Sequence, residues 1–142
     1  MKLKISTPAK MIYQGEIEKI SIPTETGNLK VMDGHPPMVT SVKPGIIKVW
    51  PMENHIKVGD EMYVSSSKGM VFIDGKIVRI VSAEATLAPE ESESTLLQNK
   101  KKFEEKIKRL KTEWSIEEIE KALIKLEKIN ADIELKRMLQ TA

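Results

Sequence analysis

His35, in Asp33-Gly34-His35-Pro36-Pro37, is the side chain best set up by type and neighbourhood for acid–base chemistry, because a nearby carboxylate could orient its imidazole for proton transfer. No nucleophile motif adjoins it and the two prolines stiffen the backbone, so a rigid loop histidine is the simpler expectation. His55, in Glu53-Asn54-His55, is expected on a turn, and two isolated histidines do not make a metal site. The absence of cysteine excludes disulfides, thiolate zinc sites and cysteine nucleophiles. Glu16 and Glu18 alternate across Ile17 and would share a strand face, the usual place for solvated carboxylates. Met32, Met38, Met52, Met62 and Met70 suit either an adaptable binding surface or core filling. With only two each of Phe, Tyr and Trp, core filling is expected. No phosphate loop, Gly-x-Ser-x-Gly elbow or His-Glu-x-x-His pattern occurs. Neither catalysis nor a bound cofactor or metal is expected.

Charge offers a different chemistry. Lys and Arg outnumber Asp and Glu by only 23 to 21, too even a balance to mark a nucleic-acid or anionic-membrane partner. Locally, however, Lys100, Lys101, Lys102, Lys106, Lys108, Arg109 and Lys111 face only Glu104 and Glu105 within their stretch. Such a run is either a solvated helix face or a surface attracted to an acidic partner.

The elements that carry these residues follow from punctuation and period. All seven glycines lie between Gly15 and Gly75 and all seven prolines between Pro8 and Pro89, which puts a boundary near residues 85–89. Before it, short β-branched runs recur at 3–6, 17–22, 29–32, 38–42, 46–50, 56–58, 61–65, 70–73 and 77–81, with Asp74-Gly75 as a hairpin turn. That spacing predicts a sandwich or barrel. After Pro89 the period becomes helical. Pro89 suits a first helical position, and Glu90, Glu91 and Glu93 suit the positive end of the dipole. Leu96, Phe103, Ile107 and Leu110 form one stripe. Ser115-Ile116-Glu117-Glu118 is a capping box opening a second helix, whose stripe is Ile119, Ala122, Leu126, Ile129 and Ile133. The predicted architecture is therefore an N-terminal β-sandwich over 1–85 followed by a C-terminal antiparallel two-helix hairpin over 89–142. Two short amphipathic helices are marginal without a surface to dock on. In the opening Met1-Lys2-Leu3-Lys4-Ile5 no apolar stretch is long enough for a signal peptide or membrane span, so a cytoplasmic location is expected.

One segment is more specific than composition. Gly27-Asn28-Leu29-Lys30-Val31-Met32-Asp33-Gly34-His35-Pro36-Pro37-Met38, ending in Pro44-Gly45, resembles the signature of the epsilon subunits of rotary ATP synthases of bacterial and chloroplast type. Gly27, Leu29, Gly34, His35, Pro37, Pro44 and Gly45 match it in order and spacing. Ser6-Thr7-Pro8 and the stretch 15–20 resemble the family's opening strands, and 131–137 its last helix. Lys30 departs from the family's second glycine, and Ser67-Lys68-Gly69 from its usual Gly-Gly. The family's nucleotide motif at the start of the first helix is not matched, since 90–96 offers carboxylates and no arginine.

The resemblance implies a non-catalytic rotor subunit that couples proton or sodium flow to ATP synthesis and restrains ATP hydrolysis through its hairpin. It implies a gamma subunit and a ring of c-subunits as partners, with Asp33, Gly34, His35 and Pro37 at a partner interface. The raised hairpin would meet the alpha/beta catalytic hexamer, through a basic face of Lys100, Lys101, Lys102, Lys106, Lys108 and Arg109. Membrane contact would be through the complex alone, at the cytoplasmic face of the cell membrane. Two other classes match parts of the pattern: a nucleic-acid-binding β-barrel module with a basic helical appendage, and a small hydrolase using His35. Few aromatics and near-neutral charge weigh against the first, and the missing nucleophile against the second.

Overall fold

The computed structural model describes residues 1–53, 56–57, 61–87, 93–113 and 115–141. Ten strands come first: β1 Lys2–Ser6, β2 Met11–Thr24, β3 Gly27–Met32, β4 Met38–Val42, β5 Gly45–Glu53, β6 Ile56–Lys57, β7 Met62–Ser66, β8 Gly69–Ile73, β9 Ile77–Ser82 and β10 Ala85–Thr86. Helices α1 Glu93–Glu113 and α2 Ile116–Thr141 follow. The β-sandwich followed by a helical hairpin is thus the observed architecture. Pro89, Glu90 and Glu91, the predicted helix opening, lie outside the described residues, as do His55 and Trp114.

The strands run in the order β10-β7-β5-β2-β1-β9-β8-β4, with β3 added to β2 and β6 to β5. The long strand β2 joins the two layers of the sandwich. Its first half pairs with β1, from Met11 opposite Ser6 to Glu16 opposite Lys2, and its second half pairs with β3 from Lys19 to Thr24. Between the halves the register against β5 slips, leaving Glu18 outside the ladder between Ile17 and Lys19. Such a bulge bends a strand and sharpens its twist. It also resolves an oddity in the sequence. Ile17 and Ile20 are three residues apart and should face opposite ways in a regular strand, yet both are fully buried. The same slip removes Glu18 from the simple alternation with Glu16 that a shared carboxylate face required.

The sandwich core is almost purely branched aliphatic, built from Leu3, Ile5, Ile20, Ile47, Ile80 and their neighbours. Of the five methionines expected to fill it, Met62 packs against it from a partly buried position, and the others are not part of it. Met32, Met38 and Met70 are exposed, and Met52 and Met62 are half-buried. The reason is register: in β8 and β9, Val71, Ile73, Val78 and Ile80 take the inward positions, so Met70 must point out.

The Asp74-Gly75 turn forms as predicted, joining β8 to β9. Asp74 Oδ1 accepts the Ile77 amide at 2.9 Å and the Lys76 amide at 3.2 Å. These two amides hold its carboxyl below the usual carboxylate range. A group depressed in this way supports the fold at neutral pH, and its contribution is lost as pH falls and the carboxyl protonates.

In the hairpin, Phe103, Ile107 and Leu110 of α1 meet Ile119, Ala122 and Leu126 of α2, so the two predicted stripes face each other. Helix α2 opens directly after Ser115, whose carbonyl accepts the Ile119 amide at 3.0 Å. Helix α2 also lies on β5 and β7, which docks the hairpin on the sandwich.

Candidate interaction surfaces

The 33–37 loop connects β3 to β4. Gly34 has φ +83°, a left-handed conformation that side chains rarely adopt, which explains a glycine here. The His35 amide donates to the Met32 carbonyl at 3.2 Å, and His35 Nδ1 lies 2.7 Å from the Pro36 carbonyl. That carbonyl accepts only the tautomer with a proton on Nδ1. Asp33 Oδ1 lies 3.2 Å from the Met1 amino group. The imidazole is therefore held by a backbone carbonyl of its own loop, while its acidic neighbour Asp33 reaches the Met1 amino group.

The outer face of β4, β8 and β9 beside this loop is apolar. Val39 stands opposite Phe72, and Ser41 opposite Met70. Met70 in turn stands opposite Val81, and Phe72 opposite Arg79. Val39 is 59% exposed, Val81 45% and Phe72 42%. Across β1 the row continues from Val81 through Ser6 to Met11, which is also exposed. Lys4, opposite Arg79, gives the patch a basic border. A contiguous apolar sheet face of this kind marks an interaction surface. The sequence held the signal in the outward positions of 70–72 and 79–81, but it could not show that β4 would lie beside them.

The basic residues of α1 do not share one stripe. Lys102, Lys106 and Arg109 follow one another at spacings of four and three, and Lys101 and Lys108 are seven apart on the opposite flank of the exposed arc. All five are exposed. Lys100 is only partly so, and with Asn130, Glu134 and Arg137 it borders a cleft between the helices of about 350 Å³. At the start of α1, Glu93 is engaged by Arg137 at 2.6 Å.

The docked face of α2 was not anticipated from the sequence. Besides the stripe toward α1 it buries Lys128, Ala131 and Leu135, again at spacings of three and four. Lys128 is only 3% exposed. Its ammonium lies 2.6 Å from Asp132 Oδ1 and 2.9 Å from Thr86 Oγ1, and Ser65 donates its hydroxyl to the same Asp132 oxygen. The available signal was a lysine in line with Ala131 and Leu135 at helical spacing. Nearby, Ser66, Ser67 and Ser82 are buried and bonded together, with Ser66 Oγ to Ser82 Oγ at 2.9 Å and the Glu84 amide to Ser67 Oγ at 2.9 Å. Among the described residues no group of histidines and carboxylates could hold a metal ion, and no helix is long and apolar enough to cross a membrane.

Comparison with known proteins agrees with this architecture. A curated protein named ATP synthase epsilon chain, from Campylobacter jejuni subsp. doylei, is 32% identical over 85 residues, which span 53% of this chain and 66% of that protein. A chain in the cryo-EM structure of the Euglena gracilis mitochondrial ATP synthase, containing OSCP, F1 and c-ring, superposes with a TM-score of 0.69 at 22% identity. The superposition covers 93% of this chain and 78% of that one, so the same fold extends through sandwich and hairpin. Residues 1–88 match the family model described as the beta-sandwich domain of the ATP synthase delta/epsilon chain, and with well over half its length so matched, this chain belongs to that family.

Proposed function

We propose that the chain is the non-catalytic central-stalk subunit of a rotary ATP synthase, coupling ion flow to ATP synthesis and restraining ATP hydrolysis through its hairpin. The observation that carries this reading beyond family membership is the apolar face of Val39, Met70, Phe72 and Val81 on a sandwich that already has a complete core of its own. A face left open by a finished fold is available to a partner, and the gamma subunit is the partner proposed for it. The 33–37 loop, stiffened by Gly34, Pro36 and Pro37, is proposed to rest on the c-subunit ring. The assembly would lie at the cytoplasmic face of the cell membrane, and this chain would touch the membrane only through the ring. Chemistry belongs to other subunits in this reading, since the sequence places no nucleophile motif beside His35.

The hairpin supplies regulation in this reading. Its exposed cations, Lys101, Lys102, Lys106, Lys108 and Arg109, are placed to meet the acidic rim of the alpha/beta hexamer once the hairpin leaves the sandwich. The test is ATP hydrolysis by reconstituted synthase carrying either a chain ended after Ala88 or one with Lys100, Lys101, Lys102, Lys106, Lys108 and Arg109 all changed to Glu. Both should assemble, and both should hydrolyse ATP several-fold faster than the complex with the parent chain. Equal restraint in all three complexes, with the subunit shown to be present, would mean that the hairpin is no brake.

A further inference from the structure

We propose that Lys128, Asp132, Ser65 and Thr86 form a charge-paired latch, so that the hairpin stays on the sandwich only while the buried Lys128 ammonium keeps its carboxylate. This concerns the chain by itself and stands whether or not it serves a synthase. The four residues come from three elements: Ser65 from β7, Thr86 from the two-residue strand β10, and the charged pair from α2. The Lys128 side chain is 4% exposed and that of Asp132 15%, so both ions are largely out of water. Removing an ammonium from water is expensive, and here the cost is met by Asp132 Oδ1 at 2.6 Å and Thr86 Oγ1 at 2.9 Å. A second pair between hairpin and sandwich among the described residues, Lys125 with Glu84, lies at the exposed rim and contributes little.

The pair is four residues apart on one helix, and that placement creates an asymmetry. When the hairpin lifts, Lys128 and Asp132 travel together into water, where both are hydrated and neither needs the other. When it docks, Lys128 is buried and must be paired. Losing the carboxylate therefore penalises the docked state alone. Undocking also takes from Thr86 the ammonium that ties it to α2. Strand β10 keeps its pairing of Ala85 with Ser66 and Thr86 with Ser65 and the packing of Ala85 on the core, but it loses its tie to α2, so release of the hairpin should loosen the last strand before the helices.

The natural absence of cysteine permits a direct measurement. Spin labels on Lys48→Cys in β5 and Lys121→Cys in α2, both exposed positions, report the distance between sandwich and hairpin in the full-length chain. Hydrogen exchange of β1 and β9 amides reports the sandwich core. The parent chain should give one short distance. Asp132→Asn should raise the ratio of released to docked hairpin on the order of a hundredfold, with core exchange still slow and β10 exchange faster. Lys128→Met combined with Asp132→Leu removes both charges and should return the short distance. The latch is wrong if Asp132→Asn keeps the parent distance, if the double variant releases the hairpin as fully as the single one, or if Asp132→Asn unfolds the sandwich itself.

Discussion

Gly69→Ala should lower the melting temperature of the sandwich by more than about 10 °C, corresponding to about 3 kcal/mol or more of stability. A Cβ at Gly69 would lie 2.1 Å from the Val81 carbonyl oxygen and 2.9 Å from Ser82 Cα. Both are backbone atoms of β9, so no side chain can swing aside to relieve the clash. Strand β8 would have to part from β9 where Gly69 stands opposite Ser82. Ser82 Oγ also donates to the Glu84 carbonyl at 2.7 Å and receives the Ser66 hydroxyl at 2.9 Å, so that parting would unsettle buried hydroxyls. Lys68→Ala, one residue earlier and exposed, should change stability by no more than about 0.5 kcal/mol. Thermal denaturation of the two variants checks this, and a Gly69→Ala protein melting within about 2 °C of the parent would mean that the strands do not approach so closely.

A second large effect is expected on assembly. Phe72→Asp combined with Val81→Asp should weaken binding to the gamma subunit by on the order of a hundredfold or more, because apolar contact area at the centre of the proposed interface would be lost and two carboxylates would be taken out of water there. Both side chains point outward from β8 and β9, away from Val71, Ile73, Val78 and Ile80. The free variant should consequently remain folded. Titration calorimetry with the purified gamma subunit gives the binding constant, and circular dichroism confirms the fold. Binding equal to that of the parent would remove the gamma subunit from this face.

Much of the fold was legible because each half has a single period. The alternating apolar positions at 77–81 survive as the buried and exposed faces of β9, and the stripe of Phe103, Ile107 and Leu110 survives as the seam of the hairpin. What could not be read depended on how elements meet. The spacing of Ile17 and Ile20 is irregular until the bulge at Glu18 is known, and the bulge is set by pairing with β5. The methionines looked like filler because their hydrophobicity was visible but their register was not. The burial of Lys128 was not legible because it arises from α2 lying on β5 and β7, a contact no periodicity encodes. Strand β10 has two residues, too few for a pattern, and exists by pairing with Ser65 and Ser66. The loop at 33–37 was legible in outline, since Gly34 and the prolines announce a fixed turn. That His35 would bond to the Pro36 carbonyl rather than face Asp33 was not.

The most direct measurement of the central claim is capture from the native membrane fraction, with the tagged full-length chain as bait and the bound proteins identified by mass spectrometry. The account predicts recovery of the alpha, beta and gamma subunits together with the c-ring when detergent preserves the complex, and loss of all of them when Phe72→Asp and Val81→Asp are introduced. Capture of none of these subunits by a folded parent chain would contradict it.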